Sequence, residues 1–80
     1  MAGFHGQYIE PSYFRKGEYT ALAGFSRFRI RRGIVEGWIA QETIPQTPNI
    51  MPNGKRFFAR TLRQLEILLA DHAKEMQKVF

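Results

Sequence analysis

The sequence contains no cysteine and no long apolar run. The first absence excludes a disulfide framework and a thiolate zinc site, which small secreted domains usually need, so an intracellular protein is expected. The longest apolar run, residues 67–70, is far too short to span a bilayer. The first residues lack the basic segment and apolar stretch of a signal peptide. We therefore expect a soluble, cytoplasmic protein without a membrane partner.

Side chains that carry enzyme chemistry are also scarce. His5 and His72 are far apart in the chain, and a lone histidine in a helix usually lies on the surface. Glu75 follows His72 by one helical turn, but two potential ligands do not make a metal site. The sequence shows no nucleophile motif and no glycine-rich phosphate loop. We expect neither an enzyme nor a bound cofactor.

Acidic residues are few, 7 against 12 basic ones, which gives a net charge of +5. Residues 27–60 hold seven basic and two acidic residues and so account for the whole excess, while the segments before and after them each sum to zero. Charge kept only for solubility would be spread more evenly. Its concentration in one segment therefore favours a polyanion as the partner.

The first half of the chain predicts a short strand and a helix. Eighty residues make a single domain, with residues 1–7 as a flexible arm. Residues 8–13 alternate around Pro11, which is typical of an edge strand. Residues 17–23 are rich in helix formers, and Gly24 is placed to end that helix in the left-handed conformation.

A second helix is predicted over residues 32–41. Ile34, Val35, Trp38 and Ile39 recur at i, i+1, i+4 and i+5 and would form one apolar stripe. Glycines at positions 33 and 37 would let another surface approach this helix closely. The proline at position 45 ends it, because the residue before a proline is pushed out of the helical region.

A two-stranded hairpin is predicted next, with residues 46–50 and 55–59 as strands and residues 51–54 as the turn. Alternation along the second strand sends Phe57 and Phe58 to opposite faces, so that one aromatic ring reaches the core. A final helix begins after Thr61, because residues 61–64 have the form of a capping box. Its apolar stripe consists of Leu62, Leu65, Leu69, Ala73, Met76 and Phe80, and its far end could contact a second copy of the chain.

Helix, turn, helix and basic hairpin together predict the α+β fold of a small winged helix-turn-helix, with a two-stranded wing and a C-terminal helix. In that layout one helix enters the major groove of DNA, while the hairpin reaches the minor groove or the flanking backbone. Residues expected to contact DNA lie at or near the second helix and on the wing: Arg27, Arg29, Arg31, Arg32, Glu36, Asn53, Lys55 and Arg56.

Four short sequences within residues 17–70 carry a family resemblance: Ala21-Leu22-Ala23-Gly24-Phe25-Ser26, Arg32-Gly33-Ile34-Val35-Glu36-Gly37-Trp38-Ile39, Ile44-Pro45 and Asn53-Gly54-Lys55-Arg56-Phe57. With the leucine-rich helix that follows, they make the chain resemble the phage excisionase and Cox-type proteins, small relatives of the MerR-type winged helix. Relative to this pattern, residues 27–31 look like an insertion of about five residues.

The resemblance implies a recombination directionality factor. Such a protein binds and bends double-stranded DNA at an attachment site, associates cooperatively with itself there, and helps a tyrosine-type integrase to excise a prophage or mobile element. It can also regulate promoters of that element. Two alternatives stay open: a phage transcriptional repressor or activator without a recombination role, and a basic protein-interaction module. RNA binding is disfavoured because two exposed stacking aromatics on a sheet are not evident, although Phe57 and Phe58 are neighbours.

Overall fold

A five-stranded antiparallel sheet with one helix makes up the fold. The computed structural model describes residues 4–13, 15–45, 47 and 49–79. The strands lie side by side in chain order: β1 (Ile9–Pro11), β2 (Tyr19–Ala23), β3 (Ser26–Arg32), β4 (Trp38–Glu42) and β5 (Arg56–Ala59). The helix α1 (Leu62–Val79) follows β5 directly.

The predicted winged helix-turn-helix is wrong. Residues 17–23, expected to be the first helix, contain β2, and residues 32–41, expected to be the second, hold the end of β3, a hairpin loop and most of β4. Burial alternates along β3, as is typical of a strand: Ser26, Phe28 and Ile30 are buried, whereas Arg27 and Arg31 are exposed. Period-two alternation buries one face of a sheet and cannot form one face of a helix.

The predicted edge strand and the tight turn before β5 are confirmed. Pro11 lies in β1, at an edge of the sheet where a missing N–H costs no ladder bond. In the turn, Asn53 has a φ of 61° and the Gly54 N–H donates to the Met51 carbonyl at 3.0 Å. The pairing was wrong, however, because β5 pairs with β4 and not with residues 46–50. Of those residues, 46 and 48 lie outside the described part, and Ile50 forms an isolated bridge with Thr43.

The C-terminal helix is confirmed. The Thr61 hydroxyl accepts a hydrogen bond from the Gln64 backbone N–H at 3.1 Å, which caps the first turn. The predicted stripe is buried at Leu62, Leu65, Leu69 and Ala73 and half-buried at Met76, while Phe80 lies outside the described residues. Alternation along β5 also holds, since Phe57 reaches the core and Phe58 does not.

One face of the sheet, called the covered face, packs against α1. Its core side chains are Ile9, Ala21, Ala23, Phe28, Ile30, Ala40 and Ala59. The small alanine side chains let the helix approach the sheet closely. Phe28 lies between helix and sheet, and its ring centre is 5.6 Å from that of Phe57 and 5.5 Å from that of His72. Buried alanines in β2 thus reflect close packing, which overrides their helix propensity.

His72 is buried between α1 and the sheet, contrary to the expectation of a surface residue. Its Nε2 atom lies 3.1 Å from the Ser26 hydroxyl. Burial lowers the pKa of the imidazole, and the nearby Lys55 cation lowers it further, against a smaller opposing effect of Glu42. The neutral form is therefore favoured in the folded protein.

The start of the chain is tied to α1 through Glu66. One carboxylate oxygen, Oε2, accepts from the backbone N–H groups of Tyr8 and Ile9 at 2.8 and 3.2 Å. The segment predicted as an arm, residues 1–7, is described from Phe4 onward. There Phe4 packs against the core, and its N–H donates to the Tyr19 hydroxyl at 3.1 Å.

Candidate nucleic-acid interface

The second face of the sheet, called the open face, points away from α1. Residues paired across neighbouring strands share a face, so the register assigns it Glu10, Thr20, Leu22, Arg27, Arg29, Arg31, Ile39, Gln41, Arg56 and Phe58. None of these side chains is buried. The same alternation that buries Phe28 and Ile30 therefore places the intervening arginines together on the other side.

The centre of the open face is a file of three arginines on β3. Arg27, Arg29 and Arg31 occupy alternate positions, which sets adjacent members about 6.7 Å apart along an extended strand. A rigid strand with sheet neighbours on both sides holds these cations in a line. All three were predicted to contact DNA, and the structure brings them together, on a strand instead of near a helix.

Arg29, in the middle of the file, has an acidic partner. Its Nε donates to Glu18 Oε1 at 3.0 Å and its Nη2 to Glu18 Oε2 at 3.4 Å, a two-point contact. The hydrogen bond from Arg29 lowers the pKa of the Glu18 carboxyl, although partial burial works against it. Glu18 thus stays ionised and neutralises part of the file.

A second group of polar side chains lies across β4 and β5. Arg31 Nε donates to Gln41 Oε1 at 3.2 Å, and Gln41 is paired with Arg56 on β5. Two of the predicted wing residues, Asn53 and Lys55, line a small pocket of about 240 Å³ together with Gln41 and Arg56. Asn53 and Arg56 therefore meet the open face, at the end of β4 and the start of β5. Lys55 does not, because alternation along β5 puts it on the side of Phe57 and Ala59, where its charge acts on His72.

Beside the arginine file, two loops enclose a trough of about 1000 Å³. One loop connects β1 to β2, and the other follows β4. The lining of the trough includes three arginines, two glutamates and four serine or threonine side chains: Arg15, Arg27, Arg29, Glu10, Glu18, Ser12, Thr20, Thr43 and Thr47. Arginine and hydroxyl groups in an open trough are the groups that bind the sugar and phosphate of a nucleic acid strand.

Arg32 and Glu36, like Lys55, lie away from the open face. The Arg32 guanidinium carbon lies 4.9 Å from the centre of the Trp38 ring, and both residues are on the side of the sheet that faces α1. Glu36 lies in the loop between β3 and β4, where its carboxylate is 3.2 Å from Arg60. The expectation that Arg32 and Glu36 would lie on a helix in the major groove is wrong, because no helix forms there.

The sequence reasoning missed several residues of this surface: Arg15, Thr20, Ile39 and Phe58 were not assigned to it. Gln41 and Ile39 were counted in the second helix, and Thr20 in the first. The alternation of residues 26–31 could have indicated a strand at that place. It does not report which residues pair with that strand, so it could not by itself have found the others.

The two adjacent phenylalanines of β5 face opposite sides. Phe57 packs in the core, its ring 5.7 Å from that of His72. Phe58 is 59% exposed on the open face, opposite Ile39. Among the described strand residues, Phe58 is the one aromatic side chain on that face. The surface therefore lacks the two or three stacking rings that a sheet uses to hold single-stranded RNA.

Among the residues that the structure describes, no group of three or more His, Cys, Asp and Glu side chains is arranged to hold a metal ion. Within the same residues, no helix has the length and hydropathy that crossing a bilayer requires. Comparison of the chain with protein-family models, with curated proteins and with solved structures found no match.

Proposed function

We propose that the protein binds double-stranded DNA through the open face of its sheet, with β3, β4 and β5 in or along the major groove. The observation that carries this proposal is the placement of Arg27, Arg29 and Arg31 on the one sheet face that α1 leaves uncovered. The wider segment that holds these residues also carries the whole positive excess of the chain.

The dimensions of the open face suit a duplex. Neighbouring strands lie about 4.8 Å apart, and a major groove about 12 Å wide admits a two-stranded β-ribbon such as β3 with β4 or β4 with β5. Proteins that read DNA with strands instead of a helix form a known docking class. DNA carries one phosphate per about 3.4 Å of rise on each strand. A file of arginines about 6.7 Å apart therefore repeats at close to two base-pair steps.

The residue types also suit base edges and phosphates. Arginine makes two hydrogen bonds to guanine, and glutamine makes two to adenine, in the major groove. Arg31 and Gln41 are already joined by a hydrogen bond, so a base contact by one would orient the other. Arg15 and Arg27 in the trough are placed to contact the phosphate backbone.

An excision role, a tyrosine-type integrase partner and promoter regulation stay predictions of the resemblance given above. They were tied to a winged helix that the chain does not form. DNA binding, in contrast, has support that is independent of the resemblance, namely the charge and geometry of the open face.

The test compares two double variants that each lower the net charge by two. Arg27→Gln with Arg31→Gln changes the file, and Arg63→Gln with Lys74→Gln changes exposed positions on α1. Binding to a fluorescent DNA duplex is measured by anisotropy over a range of salt concentrations. Each phosphate contact contributes about 0.9 to the log–log salt slope, so the file variant should lose about 1.8 if both arginines contact phosphate and the α1 variant much less.

Single-stranded DNA and double-stranded RNA of the same sequence separate the neighbouring possibilities. We expect the duplex DNA to bind more tightly than either. Equal losses in the two double variants would show that net charge alone drives binding, and tighter binding of single strands would contradict a groove-binding sheet. Absence of salt-dependent binding to any nucleic acid would favour the protein-interaction alternative.

A further inference from the structure

The loop between β3 and β4 carries two fully exposed apolar side chains in its middle. Ile34 and Val35 have exposed fractions of 101% and 93%, more than any other large aliphatic side chain described. The Gly33 N–H donates to the Gly37 carbonyl at 2.9 Å and closes the loop beneath them. Residues 33–37 are called the tip.

The tip is held in place. Gly37 has a φ of +84°, and a Cβ there would lie 2.8 Å from the Ala59 carbonyl oxygen and 3.0 Å from the Phe58 ring. A Cβ at Gly33 would lie 2.7 Å from the Glu36 carbonyl oxygen. The backbone is thus packed closely against β5, and both apolar side chains are β-branched and stiff at χ1. Ile34 and Val35 are therefore exposed on a part of the surface that has a defined shape.

Basic residues surround the tip. Arg31 and Arg32 precede it on β3, and Arg60 lies next to it, paired with Glu36 at 3.2 Å. The local sum is three positive charges and one negative charge. A partner for this surface needs negative charge around an apolar interior. The stacked bases of DNA between two phosphate backbones have that composition.

We propose that the tip is an apolar wedge that inserts Ile34 and Val35 at a base step of the bound duplex. The inference rests on the proposed DNA-binding function and adds a deformation of the DNA to it. Proteins that bind the minor groove insert apolar side chains, isoleucine among them, between base steps and so kink the duplex. We expect the tip, which lies beyond the end of β3, to insert in the same way. Neither residue was expected to touch DNA from the sequence, since both were assigned to the apolar stripe of a helix.

The position of the tip close to Arg31 indicates that both would contact the same partner. Ile34 is three residues beyond Arg31, which is at most about 10 Å of extended chain. That distance is less than the width of a major groove, about 12 Å. When Arg31 contacts DNA, the tip is therefore within reach of the same duplex. Phe58, whose ring touches both glycine positions of the tip, continues the apolar surface onto the open face.

The test uses Ile34→Ser with Val35→Ser, and Ile67→Ser as the control, because Ile67 is also exposed (58%) but lies on α1. Surface changes of this kind alter stability by about 0.5 kcal/mol or less, which a thermal melt checks. Duplexes labelled with 2-aminopurine at successive positions report unstacking. Duplexes with donor and acceptor dyes at their ends report bending, and anisotropy reports binding.

We expect the unchanged protein and the Ile67 variant to raise 2-aminopurine fluorescence and to kink the duplex by roughly 20–90°. The tip variant should bind with the same salt slope but without unstacking or a kink. Binding without unstacking by the unchanged protein, or unstacking that survives in the tip variant, overturns the wedge and leaves DNA binding in place. Failure of the unchanged protein to bind any duplex overturns both proposals.

Two further measurements examine other occupants of the tip. Vesicles of phosphatidylserine and phosphatidylcholine test a lipid surface, and sedimentation tests a second copy of the chain. Loss of vesicle binding in the tip variant, with unstacking of DNA unchanged, would assign the tip to a lipid surface. A dimer that becomes a monomer in the tip variant, again with unstacking unchanged, would assign it to a second copy. Either result contradicts the wedge.

Discussion

The two faces of the sheet are built from the same strands and differ in almost every physical property. On β3, Phe28 and Ile30 lie on the covered face with no exposed surface, while Arg27 and Arg31, one residue away, are exposed on the open face. The covered face is closed by α1, and within the described residues no element packs across the arginine file. A single residue step along β3 thus separates the side chains that form the core from the charged side chains of the open face.

The largest effect is expected on the covered face. Phe28→Ala removes a fully buried ring from the centre of the core and should cost about 3–5 kcal/mol. That is comparable to the whole stability of a domain of this size, so the variant should be unfolded or nearly so in a denaturant titration. Arg27→Ala, one residue away on the open face, should change stability by about 0.5 kcal/mol or less. Similar losses of stability in both variants would contradict the distinction between the two faces.

A smaller loss is expected at Glu66, which joins α1 to the start of the sheet. Glu66→Ala leaves the Tyr8 and Ile9 N–H groups without their acceptor, and we expect a destabilisation of about 1–3 kcal/mol. Asp71→Ala on the exposed side of the same helix is the matched control. Hydrogen exchange should show the loss first at β1, and uniform exchange across the sheet would contradict a local role.

The buried histidine makes the covered face sensitive to acid. Because folding lowers the pKa of His72, the unfolded chain binds its proton more readily than the folded one. Stability should be fully present above the unfolded pKa of about 6.5 and should fall as the pH drops through that value towards the folded pKa. Denaturant midpoints between neutral pH and the onset of carboxylate titration measure this. His72→Gln should flatten the profile. A flat profile in the unchanged protein would contradict the role of His72.

The smallest effect is expected on the open face, at the Glu18 carboxylate. Glu18→Gln releases Arg29 from its two-point contact. The pair is half-buried at the surface, and ion pairs at the surface are worth about 0.2–1 kcal/mol, so affinity for duplex DNA should rise by up to about five-fold. Asp71→Asn changes the net charge equally but lies on α1. A larger gain from Asp71→Asn would indicate that α1, and not the sheet, lies against the DNA.

The C-terminal helix could be predicted from the sequence because its stabilising features are local. A leucine stripe at helical spacing and a capping threonine lie within a few residues of one another. The turn at Asn53 and Gly54 was equally clear for the same reason. In both the helix and the turn, the residues that determine the local structure are close together in the sequence.

The sheet could not be predicted in the same way, because its evidence is distributed along the chain. β5 pairs with β4 across a long loop, and local patterns do not report such pairing. Ile34, Val35, Trp38 and Ile39 mimic the stripe of a helix, but the first two are at an exposed tip and the last two are on opposite faces of β4. The apparent insertion at residues 27–31 is the central part of β3.

The candidate site was predicted by residue type more than by position. The local excess of charge pointed to the arginines between 27 and 31, and the structure groups them on one strand. Gln41, Thr20 and Phe58 join them only through the pairing of strands, so their place could not be known before the sheet was known.

The most direct measurement is an amide NMR titration of the protein with a short DNA duplex. The account predicts that the largest shifts fall on open-face residues: Thr20, Arg27, Arg29, Arg31, Gln41 and Arg56. Outward residues of α1, such as Arg63 and Ile67, should be unaffected. Shifts concentrated on α1, or none at all under conditions where the protein is folded, would contradict binding of DNA by the open face.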